Sequence, residues 1–342
     1  MVRRDTIVVG ASAGGVEALR TLAAGLPPGL LATVLIVLHV PPTGVNALPS
    51  ILARGCALPV RSAQSNDVLQ PGQVLVARPD HHLLVVDGRV LLTRGPRENG
   101  HRPAVDVLFR SAARALGPRV LGVVLSGALD DGSAGLVAVR TRGGVGIVQD
   151  PKDALHAGMP TNAIAAAQPE FVLPVAEIPG VLSRLVGTEA DWPSDFSPSD
   201  LVETEVAVAE MEPKALHDMD RPGIPSGLSC PDCHGVLFEI EEEGFLRYRC
   251  RVGHAWSVES LLSEHGAAME SALWMALRTL EEKAALAREL GSRAKESDQP
   301  ISAARFDEQA QEALEAADII RTVLERADTL IAEQDPPPGL TE

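Results

Sequence analysis

Short apolar runs alternate with amphipathic segments over the first 187 residues of the chain. Runs rich in β-branched residues at 6–9, 33–38, 119–125 and 145–148 predict buried strands. Several of these runs are followed by segments with helical spacing of apolar residues, at 15–24, 45–53 and 133–140. Buried strands that alternate with helices form parallel sheets covered on both faces. We therefore expect residues 1–187 to form an α/β domain with a doubly wound, mostly parallel sheet.

One stretch, residues 74–93, breaks this alternation. Within it, the sequence LLVVDGRVLLT has two alternating runs on either side of Asp87-Gly88. Asp-Gly between two such runs is a strong signal for a two-residue β-turn. This stretch therefore predicts a β-hairpin rather than another strand–helix unit.

The pattern changes after residue 187. Residues 188–220 carry ten acidic residues and one lysine, which predicts an acidic linker over 188–227 with a short helix at 201–211. From 257 to 334, heptad spacing in two long segments predicts a helical hairpin or coiled coil that can self-associate. The repeating positions are Leu273, Leu277, Leu280, Ala284 and Ala287, followed by Phe306, Ala310, Ala313, Ala317, Ile320, Leu324, Ala327 and Ile331. Residues 335–342 predict a disordered tail.

Composition and charge remove several function classes. The chain is 45% apolar, which is enough for a buried core, and its net charge of −16 argues against nucleic acid or anionic lipid as a partner. No apolar stretch approaches the length of about 20 residues that crosses a bilayer. The apolar run after the two N-terminal arginines is also too short for a signal peptide. We expect a cytoplasmic protein without membrane insertion.

The first loop has the chemistry of a nucleophile turn. Gly10-Ala11-Ser12-Ala13-Gly14 matches G-x-S-x-G, in which small neighbours let the chain bend sharply and expose the serine oxygen. A dinucleotide fingerprint requires glycine where Ser12 stands, and a P-loop requires a terminal Gly-Lys-Ser/Thr that is missing. Two alternatives stay open: a loop that binds nucleotide phosphate, and a glycine-rich turn with an inert serine.

Two further polar residues follow predicted strands. His39 ends the second strand, while Asp130 and Asp131 lie in the loop after the strand at 119–125. Because the carboxyl ends of parallel strands form the ligand crevice of such sheets, these side chains share an edge with Ser12. A base and an orienting acid are what a nucleophilic serine requires. The structural alternatives are a histidine that caps a strand end and an aspartate that caps a helix.

At this point the sequence resembles the catalytic domain of the bacterial chemotaxis methylesterase. Residues 5–187 carry the resemblance, in separate motifs that read GASAGG, LIVLHVPP, HRPAVDVLFRSAA, LSGALDDGSAG and GGVGIVQDPKDALHAGMPTNAI. The family hydrolyses glutamate γ-methyl esters on chemoreceptor helices and needs no cofactor for catalysis. The resemblance implies a methylated chemoreceptor, or a related signalling protein, as the partner.

By position in these motifs, the resemblance implies Ser12 as nucleophile, His39 as general base and Asp131, rather than Asp130, as orienting acid. We expect the backbone N–H of Ala13 to stabilise the oxyanion. The family often has threonine at position 13 and a Met-Gly pair at 128–129, where this chain has Ala13, Ala128 and Leu129. The family usually begins with a receiver domain, and because the first strand starts near residue 5 we expect a member without one.

The remaining candidates in the first half have less specific patterns. His81, His82 and His101 are expected to have polar roles at the surface, with a place in the lining of the pocket as the alternative. Cys56 has no base near it in sequence and is expected to be a small buried hydrophobe.

A second kind of chemistry is predicted over residues 228–256. Cys230 and Cys233 form a C-x₂-C pair, and Cys250 and His254 form a C-x₃-H pair sixteen residues later, across a hairpin pattern around Gly244. Two such pairs make a tetrahedral Cys₃His set, which suits structural zinc. We therefore expect a zinc-ribbon module. Together with the helical hairpin, it resembles a tail that is attached to receiver-less members of the family.

Three accounts of function remain, and one of them is the binding of a nucleotide by the first loop. In another, the chain is a serine esterase that acts on protein methyl esters. In the remaining one, the esterase fold is inactive and acts as a binding scaffold through the ribbon and the helical tail.

Overall fold

Seven parallel strands form the central sheet in a computed structural model, which describes residues 1–43, 46–192, 200–217, 223–242 and 245–334. The strands of the chain are β1 (Val2–Arg3), β2 (Thr6–Ala11), β3 (Thr33–Leu38), β4 (Val60–Ser62), β5 (Gln73–Val76), β6 (His82–Val86), β7 (Arg89–Thr93), β8 (Val120–Val124), β9 (Val145–Gln149), β10 (Phe171–Leu173), β11 (Glu189–Ala190), β12 (Ile224–Ser229), β13 (Val236–Glu242), β14 (Phe245–Cys250) and β15 (Ala255–Ser257). The helices are α1 (Gly15–Ala24), α2 (Leu48–Ala53), α3 (Val105–Leu116), α4 (Ser133–Thr141), α5 (Gly158–Ala167), α6 (Ile178–Leu185), α7 (Asp200–Ala209), α8 (Pro213–His217), α9 (Val258–Glu296) and α10 (Pro300–Gln334).

The strand order puts the site at the centre of the sheet. The order is β10-β9-β8-β2-β3-β5-β4, so β2 lies between β3 on one side and β8 on the other. The chain winds outward from β2 in both directions, which makes the carboxyl end of β2 the topological switch point. The doubly wound α/β fold expected from the sequence is confirmed.

Alternating side chains of the central strands supply two hydrophobic cores. Ile7 and Val9 face the core covered by α1, α2 and α6, whereas Val8 faces the core covered by α3, α4 and α5. Both cores are built almost wholly from aliphatic residues and alanine. These two cores hold the sheet rigid beneath the loops that follow its strands.

The hairpin prediction is right in its turn and wrong at its start. Strands β6 and β7 pair antiparallel around Asp87 and Gly88, which both have positive φ (47° and 71°), as a type I′ turn requires. Residues 74–76 belong instead to β5, which pairs in parallel with β3. The reason is burial, since Val74, Leu75 and Val76 are covered on both faces and continue the main sheet. The helix predicted over 45–53 is observed from Leu48, and residues 44–45 lie outside the described residues.

Helix α7 lies within the segment expected to be an acidic linker. Its buried residues Val202, Val206 and Ala209 join a third core with residues of α3 and of the β6–β7 hairpin. Their spacing of four and three residues places them on one face of the helix. The rest of this segment includes β11, which pairs with β1, and residues 193–199 and 218–222, which lie outside the described part of the chain.

Strands β12 to β15 form a four-stranded antiparallel sheet that carries the cysteine motif. Contacts group this sheet with the preceding residues into one unit, Met1–Leu262, and group Ser263–Glu342 into another. We call residues 223–257 the ribbon. The turn predicted around Gly244 lies outside the described residues.

The second unit is the predicted helical hairpin. Leu277 on α9 packs with Ala317 and Leu324 on α10. Ion pairs join Lys295 to Asp307 and Arg321 to Glu281, so the two helices run antiparallel. Residues 335–342, predicted to be disordered, and the side chains of Ala327 and Ile331 are outside the described set.

Over the described residues, none of the helices combines the length and the apolarity that a membrane span requires.

Candidate active site

Ser12 lies in the sharp turn between β2 and α1. Its backbone N–H donates to the carbonyl oxygen of Ser126 in the loop after β8 (2.9 Å), which ties two strand ends together. Gly14 caps α1 with φ 69°, a left-handed conformation that glycine adopts without strain. The turn therefore directs the Ser12 hydroxyl away from the core, at the edge where the neighbouring strands end.

The structure brings Ser12, His39 and Asp131 into one hydrogen-bonded chain. Ser12 Oγ lies 3.0 Å from Nδ1 of His39, and Nε2 of His39 lies 2.7 Å from Oδ2 of Asp131. His39 follows β3, the strand next to β2, and its backbone N–H donates to the carbonyl of Ala11 (3.1 Å). We call these three residues the Ser-His-Asp cluster.

The Asp131 carboxylate is surrounded by N–H donors. These donors are the His39 ring, the Asn99 side chain, and the backbone N–H groups of Val105, Asp106 and Gly132. Two of them begin helix α3, so the helix N-terminus also favours a negative charge at this point. Helix α3 approaches this closely because position 10 is glycine: a Cβ there would lie 2.1 Å from Cγ1 of Val105.

The surroundings separate the charge states of two buried carboxyl groups. Burial alone would raise the pKa of Asp131, but the hydrogen bond and charge of His39, with the Val105 N–H, outweigh burial and hold that pKa well below its usual range. Burial, reinforced by the charge of Asp131, raises the pKa of Asp106 well above its usual value. The surroundings therefore favour the charged form of Asp131 and disfavour the charged form of Asp106.

Two residues of the site lie outside the predicted set of Ser12, His39 and Asp131. The ring of His101 stacks on that of His39 with centroids 3.6 Å apart, and burial with the charge of His39 lowers the pKa of His101 to about 4. Asn99 donates from Nδ2 to Oδ1 of Asp131 (3.2 Å). The expectation of surface roles was wrong for His101 and for His82, which is fully buried against the carbonyl of Pro96. Of the two, only His82 is fully buried, whereas His101 keeps part of its surface exposed beside the ring of His39.

Buried charges join three parts of the first unit. Glu98 accepts from Arg110 of α3 and from Arg249 of the ribbon (3.1 Å). Glu205 of α7 accepts from Arg247 (2.5 Å) and Arg249 (2.9 Å) of the ribbon. All five side chains are at most 6% exposed. We call these five residues the buried ion cluster; the sequence held no signal for it, because its members are far apart along the chain.

The four predicted metal ligands converge in the ribbon. Each of Cys230, Cys233, Cys250 and His254 has a ligand atom within 4.8 Å of the others. The Sγ atoms of Cys230 and Cys250 lie 3.7 and 3.6 Å from Nδ1 of His254, and the Sγ atoms of Cys233 and Cys250 are 3.6 Å apart.

A cavity of about 320 Å³ opens beside the imidazole of His39. His101, Pro41 and Pro42 supply apolar and aromatic surface, and Arg97 and Arg102 supply positive charge. Arg102 is held in place by Asp80 (2.9 Å from its Nε). The cavity can therefore admit a small side chain at His39 and present cations to acidic groups around it.

A hydroxyl, an imidazole and a carboxylate joined in this order, at the switch point of a doubly wound sheet, form the arrangement that serine hydrolases use. The family model described as CheB methylesterase matches residues 7–182. The chain belongs to the CheB methylesterase family.

Individual relatives agree with this assignment. A protein-glutamate methylesterase/protein-glutamine glutaminase from Methanosarcina mazei is 37% identical over 191 residues, covering 54% of this chain and 52% of that protein. One from Anaeromyxobacter dehalogenans is 41% identical over 186 residues, covering 52% of this chain and 50% of the relative. The chain thus spans about half the length of these relatives, whereas it covers 94% of a shorter relative from Leptospira interrogans that is 35% identical.

A solved structure is similar as well. The crystal structure of the Thermotoga maritima CheB methylesterase catalytic domain matches with a TM-score of 0.52 and 32% sequence identity, covering 54% of this chain and all of that chain.

Proposed function

We propose that the chain hydrolyses γ-methyl esters of glutamate side chains in a methylated chemoreceptor or a related signalling protein, releasing methanol. The observation that carries the proposal is the hydrogen-bonded path from Ser12 Oγ through both ring nitrogens of His39 to Asp131. Membership of the methylesterase family supplies the substrate class.

His39 acts as the base through Nδ1. Because the Asp131 carboxylate only accepts hydrogen bonds, Nε2 of His39 carries the proton and Nδ1 presents its lone pair to the Ser12 hydroxyl. Ser12 Oγ attacks the ester carbonyl carbon as its proton moves to Nδ1. The resulting imidazolium is stabilised by the Asp131 anion on one side. His101, which is neutral because of its low pKa, stacks on the imidazolium without adding a second positive charge.

The tetrahedral intermediate then collapses. Methoxide leaves with the proton held on Nδ1 of His39, and Ser12 remains as the acyl ester. Water attacks that ester with His39 again as base, and glutamate is released. The backbone N–H of Ala13 is the proposed oxyanion donor, since it has no acceptor among the described residues and adjoins the nucleophile.

Because the donor is a backbone group, alanine at positions 13 and 128 leaves it in place. Those side chains can change the rate through the shape of the pocket, without altering the roles of the Ser-His-Asp cluster.

The test is methanol release from a methylated receptor fragment by the full chain. We expect release by wild type and loss of at least about 10³-fold in kcat for Ser12→Ala. Ser183→Ala is the matched control, because its hydroxyl only bonds the carbonyl of Pro179 on α6 (2.8 Å). Equal release by wild type and Ser12→Ala rejects the serine mechanism. Binding of the fragment without turnover by either protein favours the scaffold account instead.

A glutamine side chain is the second substrate to test. The relatives' names join methylesterase to protein-glutamine glutaminase. The same attack on a primary amide would expel ammonia in place of methanol. Ammonia release from an unmethylated fragment, abolished by Ser12→Ala, would establish this activity.

We also propose that Cys230, Cys233, Cys250 and His254 hold a structural zinc ion. A tetrahedral site with Zn–S bonds of about 2.3 Å has S–S edges of about 3.8 Å, close to the observed 3.6 Å between Cys233 and Cys250. With four protein ligands no coordination position remains for water, so the ion would support the fold and take no part in hydrolysis.

Metal analysis tests the zinc proposal. We expect one zinc per chain in wild type and in Cys56→Ser, whose thiol lies outside the cluster, and loss of zinc in Cys250→Ser. Equal zinc content in all three proteins would contradict it. Self-association through α9 and α10 stays a prediction, which the sedimentation of the full chain and of a chain ending at Leu262 would test.

A further inference from the structure

The ribbon reaches the candidate active site through one short loop. Ala255, the first residue of β15, donates to the carbonyl of Arg97 (3.2 Å) and accepts from the backbone N–H of Asn99 (2.8 Å). The backbone N–H of Ser257 donates to Oδ1 of Asn99 (2.9 Å). Residues 97–101 therefore lie against the last strand of the ribbon, and this same loop carries His101 onto the ring of His39.

Both polar atoms of the Asn99 side-chain amide form hydrogen bonds. Its Nδ2 donates to Oδ1 of Asp131 (3.2 Å) and to Oδ2 of Asp106 (3.3 Å), while its Oδ1 accepts from Ser257. The neighbours fix the orientation, because two carboxyl groups need the donors and a backbone N–H needs the acceptor. Asn99 is 7% exposed, so water cannot replace these partners.

Ser257 lies on β15, three residues after His254 of the proposed metal cluster. Strand β15 begins directly after His254, and the buried core around the cluster is small: Cys230, Leu237, Cys250 and Trp256 of the ribbon, with Leu261 of α9. Two of the four proposed ligands come from β14 and the turn that leads into β15, and the other two from the turn between β12 and β13. In a module with so little apolar core, bound metal provides much of the folding free energy.

We infer that Asn99 is a positioning residue through which the metal-loaded ribbon holds Asp131, and thereby His39, in the reactive geometry. The inference rests on the proposed methylesterase function. It makes the ribbon part of the hydrolytic apparatus: metal loading sets kcat, while the substrate still binds in the cavity beside His39.

The first test removes the hydrogen bonds of Asn99 and keeps its shape. Leucine has nearly the same outline as asparagine but no polar atoms, so Asn99→Leu separates positioning from packing. We expect kcat for methanol release to fall about 10–100-fold, as for lost supporting partners in other sites, with KM within about threefold. An unchanged kcat, or a KM that rises as kcat stays constant, overturns the inference.

The second test reads the His39–Asp131 hydrogen bond directly. The Nε2–H proton of His39, followed by NMR in the full chain labelled with ¹⁵N-histidine, should be sharp in the zinc-loaded wild type. We expect the signal to broaden when a chelator removes zinc, and to be broad already in Asn99→Leu, where chelation adds nothing further. Zinc removal that leaves the wild-type signal sharp, or that lowers kcat equally in both proteins, overturns the inference.

The two readouts separate this inference from the proposed function. If wild type and Ser12→Ala release no methanol while the His39 signal follows zinc and Asn99 as expected, the methylesterase proposal fails and the positioning role stands. If methanol release depends on Ser12 but neither readout responds to Asn99→Leu, the positioning role fails alone.

Discussion

Replacing Asp131 by asparagine tests which ring nitrogen of His39 carries the proton. Oδ2 of Asp131 accepts from Nε2 of His39 and from the N–H of Val105, and Oδ1 accepts from three further N–H groups. An asparagine amide has one acceptor oxygen and must direct its NH₂ group at one of these two sets of donors. The less costly orientation keeps the oxygen toward the three donors and turns the NH₂ toward His39.

His39 must then accept at Nε2 and carry its proton on Nδ1, which faces Ser12. That tautomer cannot take the serine proton, so we expect Asp131→Asn to lower kcat by about 10⁴-fold, as the same change does in the serine protease triad. This loss corresponds to about 5 kcal/mol of transition-state stabilisation. The stranded N–H of Val105 should also lower the free energy of unfolding by about 1–3 kcal/mol.

Asp130→Asn is the matched control. Oδ1 of Asp130 accepts from the hydroxyls of Ser257 (2.6 Å) and Ser260 (2.8 Å), and an amide oxygen can accept both bonds. We expect its kcat to stay within about threefold of wild type. The assay is methanol release under saturating substrate, with urea unfolding of both variants. This account of the site would be refuted if Asp131→Asn kept more than about a tenth of the wild-type kcat. It would also be refuted if the two variants lost kcat equally.

Three other substitutions follow from contacts described above. In Gly10→Ala the new Cβ would lie 2.1 Å from Cγ1 of Val105. We therefore expect the free energy of unfolding to fall by about 1–3 kcal/mol and kcat to fall as well. A folded variant with the wild-type kcat would contradict the close approach of α3. His101→Ala should lower kcat about 3–10-fold while His101→Phe retains it, because the stacked ring and not its charge supports His39; equal losses would assign His101 another role. The pKa of Glu205 is lowered because the charges of Arg247, Arg110 and Arg249 outweigh burial. The contribution of the Glu205 carboxylate to the free energy of unfolding is therefore complete above the unfolded-chain pKa of about 4.3, and it is lost as the pH falls. Glu205→Gln should therefore be less stable by about 3–5 kcal/mol at pH 7, with a difference that shrinks below about pH 4; urea unfolding at both pH values measures it, and a constant difference would contradict the charge argument.

Local patterns predicted those parts of the molecule that local chemistry determines. Ser12 and His39 end neighbouring parallel strands, so strand order alone brings them to one edge. The Asp87-Gly88 turn, and the spacing within each of the two pairs of proposed metal ligands, are likewise set within a few residues.

Contacts between distant segments could not be predicted in the same way. Asn99 and His101 have the composition of a surface loop, and this loop is held against β15 by backbone hydrogen bonds of Arg97 and Asn99 to Ala255. Glu205 lies in a stretch whose acidity predicted a solvated linker, but three arginines from α3 and the ribbon neutralise it in the interior. Charge in a sequence does not reveal the partners that folding supplies.

The buried ion cluster has a consequence for where this chain can be cut. The match to the methylesterase family ends at residue 182, and a recombinant fragment designed on that border would omit Glu205, Arg247 and Arg249. Glu98 and Arg110 would then keep only each other, and the apolar side of α3 that α7 covers would be open to water. Truncation after Leu262, where the first unit ends, keeps every member of the cluster. The end of the family match and the end of the first compact unit are therefore about eighty residues apart in this protein.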